Sequence, residues 1–181
     1  MASIGEVVEN KAMGERVVFV ALAADTSGAL FAYDAYMAPG GSAPGAHIHP
    51  QQEERFEIVD GSLRFRIGKD VRVATAGEVV TIPAGTAHFP VNAGDAEARF
   101  RVEFRPALNM ETFFENAFAM LSARGPRRTV PMILEFSELL SHYHDEVALS
   151  PAGLRLLATL AAPIGRAVGY RPRFPIDAER P

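Results

Sequence analysis

The sequence predicts an all-β-dominant barrel or sandwich followed by a C-terminal α-helical extension, and three observations carry that prediction. Between residues 17 and 105, short alternating or apolar runs follow one another closely, divided by Gly, Pro, Asn and Asp turns. No helical segment interrupts them, which argues for antiparallel pairing in a closed or two-layered sheet. After Pro106 the apolar spacing changes from two to three and four. The predicted organisation is a barrel over residues 1–106, a helical extension over 107–170 and a Pro-rich tail over 171–181.

The strand candidates come in order. VVFVALA (17–23) and ALFAYDAYM (29–37) flank the turn DTSG. RFEIV, LRFRI, VRVA, EVVTI, HFPV and ARFRVEF follow, separated by Gly- or Pro-containing turns. Alternation assigns their faces: Leu63, Phe65 and Ile67 oppose Arg64 and Arg66, and Phe100, Val102 and Phe104 oppose Arg99, Arg101 and Glu103. The apolar set is expected inside.

In the extension, Met110, Phe113, Phe114, Ala117, Phe118 and Leu121 recur at helical spacing up to a Gly125-Pro126 stop. Further helices are expected over about 132–144 and 152–168, the last after Ser150-Pro151. This much apolar helical surface serves either packing on the barrel or a homodimer interface. The large Phe113, Phe114 and Phe118 could also close the barrel mouth.

Composition excludes several function classes. The chain has 181 residues, 48% of them hydrophobic, enough for a real core. A net charge of -4 offers no general attraction to nucleic acid or anionic membrane, leaving small molecules or proteins as partners. With no cysteine, disulfides, thiolate metal sites and cysteine nucleophiles are ruled out. The N-terminal MASIGEVVENKAMGER carries charges where an export signal needs an apolar core. The apolar stretch from Leu154 to Val168 is broken by Arg155, Pro163 and Arg166 and is short for a bilayer. A cytoplasmic location is expected.

The chemistry-bearing residues begin with His47 and His49, whose i, i+2 spacing puts both side chains on one face of a strand. Counting by twos, Glu54 shares a face with Phe56 and Ile58, whereas Glu57 shares the other with Arg55 and Val59. A lone glutamate among Phe and Ile is costly to bury unless protonated or paired, and a divalent cation beside imidazoles removes that cost. His88, after the Pro83-Ala84-Gly85 turn, supplies one more candidate. His142 and His144 imitate the spacing, but on a helix i and i+2 do not face each other, so they are expected at the solvated surface. Arg124, Arg127 and Arg128 read as a helix-end charge cluster.

Two spaced motifs complete the set. G-x5-H-x-H-x4-E-x6-G is matched by Gly41, His47, His49, Glu54 and Gly61, and G-x5-P-x-G-x2-H-x3-N by Gly77, Pro83, Gly85, His88 and Asn92. On these residues the chain resembles the cupins over about residues 30–105. The resemblance implies a double-stranded β-helix, a jelly-roll barrel, holding a divalent metal on His47, His49, Glu54 and His88. Glu53 is the neighbouring alternative to Glu54 but stands one residue too far from Gly61 for the motif. Asn92 reads as structural, ending a strand.

A site of nitrogen and oxygen ligands suits Fe, Mn, Ni, Cu or Zn without choosing among them. Four protein ligands on an octahedral ion leave room for substrate or dioxygen. The expected pocket is apolar: Phe56, Ile58, Phe65, Phe89, Phe100, Val102 and Phe104, with Phe31, Tyr33 or Tyr36 as further candidates. No Lys or Arg falls on that face, so a small apolar or aromatic molecule chelating through an enol or hydroxyl fits better than a dicarboxylate. The leading expectation is an oxygenase of the dioxygenase type, with Glu54 doubling as a base. The alternatives are a non-redox isomerase, lyase or cyclase, and a non-catalytic ligand-binding cupin.

Overall fold

In the computed structural model of the chain, residues 2–11, 13–43, 45–124 and 129–170 are described. The barrel strands are β1 (Val7–Asn10), β2 (Glu15–Ala21), β3 (Phe31–Met37), β4 (His47–Ile48), β5 (Glu53–Asp60), β6 (Ser62–Ile67), β7 (Asp70–Thr75), β8 (Val79–Ile82), β9 (His88–Val91) and β10 (Ala98–Arg105). The extension contains α1 (Met110–Arg124), α2 (Val130–His142), β11 (Ala148–Leu149) and α3 (Ala152–Ala167). One antiparallel sheet has the order β1-β2-β3-β10-β5-β8 and the other β11-β4-β9-β6-β7. Because the chain crosses repeatedly between them, the two sheets interleave as a double-stranded β-helix.

Strand parity fills the space between the sheets. Along β10, Ala98, Phe100, Val102 and Phe104 are buried, and along β5 Glu54, Phe56 and Ile58 are buried while Glu53 and Glu57 are exposed. Phe31 of β3 packs edge-on against Phe19 at 5.3 Å and stacks with Phe104 at 6.1 Å between ring centroids. Each fully buried ring contributes about 1.5–3 kcal/mol relative to exposure, so this aromatic layer is a main source of barrel stability.

Two motif residues have structural tasks. A Cβ on Gly41 would stand 2.6 Å from Met37 Cγ and 2.8 Å from the Ala38 carbonyl oxygen, so only glycine lets the loop lie against β3. Asn92 Nδ2 donates to the Met37 and Ala96 carbonyls, both at 2.8 Å, and its Oδ1 accepts from Gly94 N–H at 3.0 Å. It closes the end of β9, as its motif position suggested.

The helices start and stop close to expectation, with Thr129 capping the Met132 N–H at the start of α2. Gly165 lets α3 press on α2, since a Cβ there would meet the Leu134 carbonyl oxygen at 2.6 Å. Buried Glu138 of α2 links the pair by accepting from Arg166 Nε of α3 at 3.0 Å, and it also meets His142 Nε2 on its own helix at 3.0 Å. His142 is therefore half-buried and bonded rather than free at the surface; His144 is exposed as expected. Arg127, Arg128 and the 171–181 tail lie outside the described residues.

Strands β1 and β11 were not expected from the sequence. The first hides in a charged N-terminal stretch, and the second has only two residues, too few for a period to show. Among the described residues, no helix is long and apolar enough to cross a membrane.

Candidate metal centre

Strand β4 delivers His47, His49 follows directly after it, and register places His47 opposite His88 of β9. Glu54, second residue of β5, points inward from the facing sheet. The ring centroids lie 5.1 Å apart for His47 and His49, 4.3 Å for His47 and His88, and 5.4 Å for His49 and His88. One donor atom from each of His47, His49, Glu54 and His88 falls within 4.8 Å of all the others. Donors opposite one another on an ion with bonds of about 2.1 Å stand roughly 4.2 Å apart, so closure needs shifts of only a few tenths of an ångström.

The second contact of each imidazole decides which nitrogen faces the cluster. Nδ1 of His47 meets the Gly45 carbonyl oxygen at 2.9 Å, that of His49 the Glu146 carbonyl oxygen at 2.6 Å, and that of His88 the Thr86 carbonyl oxygen at 3.0 Å. A carbonyl only accepts, so each Nδ1 carries a proton, and whenever the ring is neutral its Nε2 lone pair turns inward. His88 Nε2 then stands 2.7 Å and His49 Nε2 3.4 Å from Glu54 Oε2. Yet all three atoms are buried without a hydrogen-bond partner: the contacts are close but not aligned for donation. Lone pairs converging on a carboxylate oxygen repel unless a cation lies among them, and a divalent ion fits that need.

Electrostatics divide the histidines: His47 is held neutral, whereas with no ion among the donors a proton on His88 facing Glu54 is favoured. Burial, then His88 and His49, push the His47 imidazole down to about 3, so it stays neutral. Burial alone would raise Glu54, but His49 and His88 outweigh it and hold the carboxyl below the usual carboxylate range. Burial lowers His88, whereas the Glu54 carboxylate overrides this and raises it.

The cluster opens onto a cavity of about 90 Å³. Of the residues expected to line it, Phe56, Phe100 and Phe104 do, and Tyr33 joins them. Ile58, Phe65 and Val102 do not line it; at 1%, 0% and 0% exposure they belong to the packed core beyond it. Phe89 is also absent from the lining, because parity turns it to the opposite face of β9 from His88, where Arg66 stands 6.0 Å from its ring. Tyr36 faces away as well, under the guanidinium of Arg16 at 3.7 Å.

The extension forms the rest of the wall. Phe113, Phe114 and Phe118 of α1 line the cavity, together with Phe136, Val147 and Leu149. Pairing of β11 with β4 sets Ala148 opposite Ile48 and Leu149 opposite His47. The same segment supplies the Glu146 carbonyl that orients His49, while Glu146 Oε1 accepts the Asn109 N–H at 3.1 Å. Sequence patterns indicated an apolar helix but gave no sign of this tether, since a backbone carbonyl leaves no trace in residue type. They also missed Asn10 and Glu15, which line the cavity from the β1–β2 hairpin.

Comparison with known proteins agrees with this architecture. The family described as "Cupin domain" matches residues 34–104. The chain is 40% identical over 75 residues to oxalate oxidase 1 of Hordeum vulgare, spanning 37% of this chain and 37% of that protein. Oxalate oxidase GF-2.8 of Triticum aestivum is likewise 40% identical over 75 residues, 37% of this chain and 33% of that one. The chain thus matches only about a third of the length of these curated relatives. In fold it is similar to an RmlC-like cupin from Shewanella frigidimarina, with a TM-score of 0.51, 18% identity, and coverage of 59% of this chain and 88% of that one. The interleaved sheets and the two motifs agree with the family match, and residues 34–104 of this chain are similar to a cupin domain.

Proposed function

We propose that the protein is a metal-dependent oxygenase of the dioxygenase type acting on a small, uncharged, enol- or hydroxyl-bearing substrate. The observation that carries this reading is the convergence of four donor atoms, three of them buried without a hydrogen-bond partner, at the end of an apolar cavity. When bound, the ion would supply a Lewis-acidic centre and, if it is Fe, Mn, Ni or Cu, redox chemistry with dioxygen. Glu54 would take the enol proton, and the phenylalanine walls would keep water from competing.

Cavity size and charge narrow the substrate. An apolar cavity of about 150 Å³ holds benzene, so a space of about 90 Å³ suits a short diketone, admits at most a single ring and excludes a flavonol. Oxalate, the substrate in the names of the barley and wheat relatives, fits less well. Among the described residues no Lys or Arg lines the cavity, and Glu15 adds a second carboxyl to it. For a 1,3-diketone taken as its enol, both atoms of dioxygen enter the product as one carbon–carbon bond breaks. A carboxylic acid and a 2-oxoaldehyde or diketone result, and the proton held on Glu54 returns to the carboxylate.

Oxygen uptake by protein loaded with Fe, Mn, Ni or Cu, across short diketones and phenols, tests the reading. Uptake matched one-to-one by substrate loss is expected, and no uptake with any combination overturns it. Full turnover with Zn under anaerobic conditions would assign the non-redox alternative instead.

The expected homodimer would use α3. Leu157, Leu160, Ile164 and Val168 share one side of it by their spacing of three and four and are 63%, 62%, 56% and 60% exposed. An uncharged seam of that spacing suits an antiparallel pairing with a second copy of itself. Sedimentation should give a dimer that Leu160→Glu converts to a monomer; a monomeric wild type overturns the assignment.

A further inference from the structure

The cavity has a second polar end. Asn10, last residue of β1, is register partner of Glu15, first residue of β2, and Glu15 is partner of Met37 in β3. Directly opposed residues share a face, so both side chains enter the cavity that Met37 also lines. Glu54 lies far along the same sheet: it shares a row with Phe104 and Phe31, whereas Glu15 shares one with Met37 and Ala98. Helix α1 bridges the two ends. Met110 stands at its start and Leu121 near its finish, both on the cavity wall, and Ser122 Oγ donates to the Glu9 carbonyl at 3.0 Å to fix the far end beside Asn10.

Asn10 is left partly unsatisfied by the protein, and Glu15 has no counter-ion among the described residues that line the cavity. Asn10 is 1% exposed; its Oδ1 accepts from Met13 N–H at 3.3 Å, but its Nδ2 is buried with no partner. An orphaned buried amide costs about 1–3 kcal/mol, which a cavity ligand would recover. Among the described residues that line the cavity there is no Lys or Arg, so none of them offsets the charge of Glu15. Burial first, then Glu54, raises its carboxyl to about 7.

We propose that Asn10 and Glu15 form a recognition subsite for a hydroxyl group on an otherwise apolar, uncharged ligand, at the opposite end of the cavity from the His/Glu cluster. The hydroxyl oxygen accepts from Asn10 Nδ2 and its hydrogen is donated to the Glu15 carboxyl. A carboxylate ligand offers only acceptors, so it has no hydrogen to give the Glu15 carboxylate and is repelled by it once Glu15 is ionised. The subsite therefore selects alcohols and phenols and rejects acids. The proposal rests on the reading of this cavity as the substrate site, and it adds specificity-determining residues remote from the metal.

The test uses binding, with phenol, benzene and benzoate as probes on the full-length protein. Met37 lies beside Glu15 and Met110 at the other end of α1, so 13C-methyl methionine NMR reports both affinity and position. Titrations are run on protein as purified and after chelator treatment, which removes metal coordination of phenolate as an explanation. Phenol is expected to bind roughly fivefold tighter than benzene, to shift the Met37 methyl in both preparations, and to outbind benzoate at least tenfold. Glu15→Gln, which keeps donor and acceptor, should retain the phenol preference. Glu15→Met should abolish it while benzene still binds, showing that the cavity is intact. Equal affinity for phenol and benzene, preference surviving in Glu15→Met, or benzoate binding as well as phenol would each overturn the proposal. The probes need not react, so a failed search for oxygenase activity leaves the result standing, and a failed phenol preference leaves the oxygenase reading to its own test.

Discussion

Two glutamates face the same cavity, and their surroundings drive them in opposite directions. Glu54 sits among imidazoles and is held below the usual carboxylate range, whereas Glu15 faces apolar walls and an orphaned amide and is raised to about 7. Burial pushes both upward; the difference is the histidines. Pairs of like groups tuned apart in one cleft often divide two tasks, and here the low one suits a cation and the high one a neutral hydroxyl.

The largest effect that could break this comparison is at the cluster. His88→Ala or Glu54→Ala removes one of four donors, and metal content by elemental analysis should fall at least tenfold; unchanged content would refute the site. Next comes the pH dependence of stability. The folded value of Glu15 lies above its unfolded value of 4.5, so between about pH 4.5 and 7 the native state holds a proton that the unfolded chain has released. Stability therefore falls as pH rises through that window, by of order 3 kcal/mol. Glu15→Gln should abolish that slope and leave the protein more stable at pH 8, as read by urea denaturation from pH 4 to 8.

Smaller effects sharpen the contrast. Glu146→Ala loses the side-chain bond to Asn109 N–H that helps place the carbonyl tethering His49, and metal affinity should drop several-fold with the fold retained. Phe89→Ala, on the outer face of β9, should leave phenol affinity and metal content unchanged; Phe104→Ala, whose ring stands 4.9 Å from His49, should not.

The same comparison shows what was legible beforehand. Glu54 could be assigned from parity and motif spacing, because β5 is eight residues long and alternates cleanly. Glu15 obeys the same parity with Val17 and Phe19, but it opens its strand, and starting the strand at Val17 left it outside. Its partner Asn10 ends a strand whose alternation is masked by neighbouring charges. Phe89 is next to His88 in sequence, and neighbours in a strand face opposite ways, so nearness to a ligand does not bring it to the cavity. The apolar stripe of α1 was visible at its three- and four-residue spacing, yet nothing in that spacing says which surface it covers. Contacts made by backbone carbonyls, such as that of Glu146, depend on the chain's path and not on residue type.

The tether between Glu146 and His49 spans 97 residues, and this gives the site an order of assembly in time. During synthesis all four candidate ligands leave the ribosome before the segment that locks one of them in place. A nascent chain ending near residue 106 holds the donors with His49 unanchored and, without α1, one side of the cavity unwalled. Secure retention of an ion would thus wait until the segment around Glu146 has emerged, and that segment acts as a latch on donors that precede it in the chain.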